Sequence, residues 1–127
     1  MIKKTKGQLE IKVTLPKDKI KKYLESFRIT SPSEAEESQL QALFIKTIDD
    51  FIKGELCLDE FSSISNYLWW EGGIMPKREK TNKEFYDTLQ LAGELSFYVR
   101  GKSNEVRESA LWVLNRVFDY YERYSKK

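Results

Sequence analysis

Apolar side chains recur every three to four positions over most of this chain, and every second position over one short stretch near its start. Leu40, Leu43, Phe44, Ile48, Phe51 and Ile52 fall on one face at helical spacing. Upstream, Ser31 suits the cap, Pro32 the first helical position, and Glu34 completes a Ser-x-x-Glu capping box. Lys53 suits the last turn and Gly54 the left-handed stop. The pattern predicts a helix over 31–53. Leu58, Phe61, Ile64, Tyr67 and Leu68 predict a second over 57–70, with Cys57 at the cap and Glu60 three residues on. So short a connection lays the two roughly antiparallel.

A second pair follows the same design. Thr81 and Glu84 open a helix over 81–100 whose inner face carries Phe85, Leu89, Ala92, Leu95 or Ser96, and Val99, and which Arg100 and Gly101 end. Ser103 caps a last helix over 103–124, lined by Val106, Ala110, Val113, Leu114, Val117, Phe118 and Tyr121. Trp112, Tyr120 and Tyr124 lie partly off that face, so this helix is apolar over more than one stripe, as a central helix or one with an outside contact would be. Ile20, Tyr23, Leu24 and Phe27 predict a short helix over 16–27, with Lys17, Lys19, Lys21 and Lys22 on its other side. Residues Gln8 to Leu15 alternate strictly, which is a half-buried strand pattern. With no second strand to pair with, it reads as an arm over its own helices, an addition to a partner's sheet, or a homodimer contact through 8–15. The fold expected is all-α: an antiparallel helical bundle of four longer helices plus one short helix, in a single domain, with an N-terminal β-strand or extended arm over 1–15.

Composition removes several chemistries. The chain has 127 residues, one Cys and no His. It cannot form an internal disulfide, a Cys/His zinc site, or a Ser-His-Asp or Cys-His catalytic set. Gly72 and Gly73 do not belong to a phosphate loop, because the Gly-x-x-x-x-Gly-Lys spacing is absent. Adjacent acids such as Asp49-Asp50 and Asp59-Glu60 diverge on a helix and chelate one ion poorly. No catalytic residue, cofactor or metal is expected, and the enzyme class ranks last. The opening MIKKTKG has no apolar signal core and no run reaches membrane-spanning length, so the expectation is a cytoplasmic protein without membrane contact.

Charge adds a direction. Residues 1–30 carry nine Lys/Arg against three acids, residues 31–75 two against nine, and residues 76–127 eleven against eight. The acidic middle exceeds what two helix starts need. Asp49, Asp50 and Glu55 sit near the end of the first long helix, where negative charge opposes the dipole. That placement suggests either pairing with the lysines of 17–22 or, more simply, a basic partner, and the expectation is that reversing all three charges leaves stability within a few degrees but weakens partner binding. Asp59 and Glu71 extend the acidic set, and Trp69 and Trp70 offer aromatic anchors. These seven residues form the predicted partner-binding set. The lysines of 17–22 lack a stacking platform or a helix-turn-helix frame, which argues against nucleic acid.

Residues 44–70 and 85–121 resemble the colicin-D-type bacterial immunity family. The similarity rests on FIKTIDDFIKGELCLDEF, the Tyr67-Leu68-Trp69 helix end, the helix ending in LSFYV, and ESALWVL in the last helix. The turn Phe51, Gly54, Cys57, Glu60, Phe61 is its most specific part, with Cys57 where the family carries a hydroxyl. The resemblance implies a small helical, non-enzymatic inhibitor that covers the active site of a cognate toxin, a nuclease being the candidate. The alternatives are a self-associating structural or assembly subunit and a small basic nucleic-acid-binding protein.

Overall fold

The computed structural model describes residues 16–74, 81–99 and 104–125. Among these residues there are six helices and no strand: α1 (Lys17–Ser26), α2 (Glu37–Ile52), α3 (Leu58–Glu71), α4 (Lys83–Gly93), α5 (Leu95–Val99) and α6 (Asn104–Tyr124). The protein is all-α, a helical bundle, as the periodicity predicts. The alternating stretch 8–15, residues 75–80 and the predicted stop and cap at Arg100, Gly101 and Ser103 lie outside the described residues.

The core is built on four aromatic rings from four helices. Phe44 of α2 lies 6.2 Å from Phe61 of α3, 5.9 Å from Phe85 of α4 and 5.6 Å from Tyr120 of α6. All four are fully buried, with Leu40, Leu43, Ile48, Ile64, Leu68, Leu89, Leu95, Val113 and Val117 packed around them. Tyr120, placed off the inner face by sequence spacing, is in fact central. Ile52 and Phe118, assigned to the inner faces, lie at their edges and reach solvent. Neighbouring helices run antiparallel: Ser62 of α3 meets Gly93 of α4, and Trp69 meets Tyr86. Along α2 and α6, Phe51 meets Phe118 and Asp49 meets Tyr121.

Helix ends differ from expectation where a competing local bond is better. Ser31 does not cap α2. Its hydroxyl pairs with that of Ser33, Pro32–Glu34 form a single 3₁₀ turn, and Ala35 is extended. The helix begins at Glu37 instead, where Gln39 Oε1 accepts the Glu36 N–H at 2.9 Å. Asn82 rather than Thr81 caps α4, accepting the Phe85 N–H at 3.0 Å. The stop of α2 is as predicted: Gly54 has φ +83°, and the N–H groups of Glu55 and Gly54 close back on the carbonyls of Asp50 and Phe51. Helix α1 uses the same stop with a less suitable residue, since Arg28 takes φ 58° and Ile29 N–H bonds Leu24 O at 2.8 Å.

The predicted helix over 81–100 is broken at Glu94. Ser62 Oγ reaches in from α3, donating to the Gly93 carbonyl and accepting the Ser96 N–H, both at 3.2 Å. A side chain inserted in the ladder ends α4 at Gly93, and α5 starts afresh at Leu95. Gly93 permits the approach, because a Cβ there would stand 3.1 Å from Asn66 Cα.

Candidate functional site

The predicted partner-binding residues divide between two places. Asp49, Asp50, Glu55 and Asp59 gather where α2 turns into α3. Trp69, Trp70 and Glu71 lie at the far end of α3, roughly 20 Å away at 1.5 Å per residue.

At the corner, two of the acids serve the fold. Asp50 is 8% exposed. It accepts the Tyr23 hydroxyl of α1 at 2.5 Å and pairs with Lys46 at 3.1 Å. Burial, and then the bond to Asp50, push the Tyr23 phenol above its ordinary range. Asp49 accepts the Tyr121 hydroxyl of α6 at 2.6 Å and pairs with Lys53 at 2.8 Å. The Lys53 bond, followed by that from Tyr121, holds its carboxyl below the usual range. Glu55 is exposed and Asp59 half-buried. Glu60 completes the corner: it accepts the Cys57 N–H at 3.0 Å, as its predicted place at the helix start requires, and pairs with Lys19 of α1 at 2.9 Å. Lys19, and then the Cys57 N–H, lower its carboxyl. A cleft of about 440 Å³ opens between α1 and this corner, lined by Lys19, Tyr23, Phe27, Lys46, Asp50 and Leu56 among others.

At the far end of α3, Trp69 is 5% exposed and packs edge-on against Tyr86 at 4.7 Å, so it belongs to the core rather than to a surface. Trp70 is 62% exposed and Glu71 is exposed beside it. Two indoles in succession diverge by about 100° on a helix, which gives one to the core and one to solvent.

The structure adds residues that the sequence set omitted. Ile52, Phe97, Val99, Leu111 and Phe118 are large apolar side chains left in solvent, with Phe97 the most exposed at 79%. Their elements converge where α3 begins. Phe118 stacks on Phe51, Phe51 stacks on Phe61 at 4.8 Å, and Ser96 of α5 is tied to Ser62. Leu111 and Phe118, seven residues apart, share one flank of α6. Spacing gave no signal for them: it placed Ile52, Val99 and Phe118 on inner faces and left Leu111 unassigned. Ile52 follows Asp50 by two residues and so lies about 200° around α2 from it.

Among the described residues, no group of three or more His, Cys, Asp or Glu is placed to hold a metal, and no helix is long and apolar enough to cross a membrane. Comparison with protein-family models, with curated proteins and with solved structures gives no match.

Proposed function

We propose that this protein is a non-catalytic inhibitor of the immunity type, which blocks a cognate bacterial toxin by covering its active site. One observation carries the reading: Ile52, Phe97, Leu111 and Phe118 are left in solvent on α2, α5 and α6, and Glu55 is exposed three residues after Ile52. Exposed aromatic and aliphatic side chains beside charge are what an interface core and rim require. Acids at the rim would steer a basic, nucleic-acid-binding toxin surface toward the apolar centre. The similarity of 44–70 and 85–121 to the colicin-D-type immunity family supports the same class, and makes a nuclease the candidate target. Localisation follows from the reading: an immunity protein acts in the cytoplasm of the cell that makes the toxin.

The test is capture of a toxin from the native host, or expression of one encoded beside this gene, followed by titration of its activity. Wild-type protein should abolish that activity near one equivalent. Ile52→Asp with Phe97→Asp should weaken inhibition by about 2 kcal/mol or more while leaving the melting temperature unchanged. A double variant that inhibits as well as wild type would remove the apolar end from the interface.

A further inference from the structure

Helix α1 is joined to the bundle differently from the other helices. It is ten residues long and has no side-chain cap at Pro16, so it has little stability of its own. Within it only Ile20 is fully buried, while Tyr23 and Leu24 are partly so. The central ring cluster is complete without it. Its specific ties are polar: Tyr23 to Asp50, Lys19 to Glu60, Lys19 Nζ to the Glu55 carbonyl at 3.3 Å, and Gln39 to the Phe27 carbonyl at 3.2 Å. The cleft of about 440 Å³ separates it from the corner it covers. Arg28, held in the left-handed region, concentrates backbone strain at the connection just after it.

The chemistry of these ties has a direction. Lys19 sets an ammonium between the Glu60 carboxylate and the Glu55 carbonyl, where an incoming Lys or Arg would bind. We infer that α1 is a displaceable cover over the acidic corner, an internal competitor that a partner's basic side chains replace. Opening would expose Asp50 and free Glu60 beside the already exposed Glu55. That the corner borders a binding face rests on the functional reading above; the mobility of α1 does not.

Hydrogen exchange on the full chain tests this without a toxin. The α1 amides of residues 21–27 should exchange about tenfold or more faster than the buried amides of α2 and α3, by local opening. Tyr23→Phe should speed them further. A tetra-arginine peptide at low salt should raise α1 exchange saturably, whereas tetra-glutamate should not. Protection of α1 equal to that of α3 in the wild type, or no response to tetra-arginine, overturns the inference. A chain whose α1 opens as described but which inhibits no nuclease sinks only the functional reading.

Discussion

Replacing Asp50 by alanine separates the structural use of the corner from any use by a partner. The side chain is almost fully enclosed and receives one phenol and one ammonium. A hydrogen bond to a charged group contributes about 1.5–3 kcal/mol, and the lower half applies here because Tyr23 keeps part of its surface in water. The Lys46 pair, half-exposed on the lysine side, adds no more than about 0.5 kcal/mol. The expected loss is about 2 kcal/mol. For a chain of this length that is a fall of roughly 6–10 °C in melting temperature. Urea denaturation followed by circular dichroism reads it as a lower midpoint at unchanged slope. Tyr23→Phe and the double variant complete a cycle, in which the two changes should fall short of additivity by about 1 kcal/mol. Strict additivity would mean that the Tyr23–Asp50 bond does nothing for the fold. The same logic divides the triple charge reversal at Asp49, Asp50 and Glu55. Glu55→Lys should leave stability unchanged, whereas Asp50→Lys sets an ammonium against Lys46 in an enclosed place and should cost more than the alanine.

Two further outcomes follow from the same contacts. Ser62→Ala leaves the Gly93 carbonyl and the Ser96 N–H without their partner, which should cost about 1–2 kcal/mol; an unchanged urea midpoint would show that water repairs the break. Stability should also fall at both ends of the pH scale. Glu60 and Asp49 are held below the ordinary carboxylate range, so the unfolded chain binds their protons more readily. Their contribution is present above that range and is lost as pH falls through their folded pKa values. Tyr23 is raised above 10.0, so its contribution holds below pH 10 and is lost as pH rises beyond it. Glu60→Gln should flatten the acid limb, and Tyr23→Phe should flatten part of the alkaline limb. A pH profile of the melting temperature that neither variant alters would defeat the assignment.

The fold was legible wherever apolar spacing alone decided it. Leu40, Leu43, Phe44 and Ile48 of α2, Phe61, Ile64 and Leu68 of α3, and Phe85, Leu89 and Ala92 of α4 are buried as their periodicity requires, and Gly54 stops α2 because no other residue takes its backbone angle so easily. Spacing failed where a distant side chain intervened. Nothing within 81–100 announces that Ser62 will enter its ladder, since the bond joins residues thirty-one positions apart. At the start of α2, Ser31, Pro32 and Glu34 carry the capping signature, but neighbouring Ser33 takes the Ser31 hydroxyl and the chain makes its turn before the helix. Arg28 as a helix stop was invisible because arginine has no preference for the left-handed region.

The site was half legible, for a reason that joins two surpluses in the sequence. The chain has more acids in its middle and more aromatics overall than its helices require, and each surplus taken alone points outward to a partner. Together they account for much of each other. Tyr23 binds Asp50, Tyr121 binds Asp49, and Tyr124 binds Glu84 at 2.7 Å, each bond fastening a helix to one distant in sequence. A carboxylate near the end of α2 opposes the dipole, but a phenol from α1 or α6 offsets that by donating to it. These bonds are invisible to spacing, because each depends on how helices cross. Once they are set aside, what a partner could read at the corner narrows to Glu55 and the half-buried Asp59 and Glu60, with Asp50 reached only by moving α1. The surface with the strongest claim to function therefore lies where Phe118 of the last helix meets the end of α2, rather than along the acidic segment as a whole.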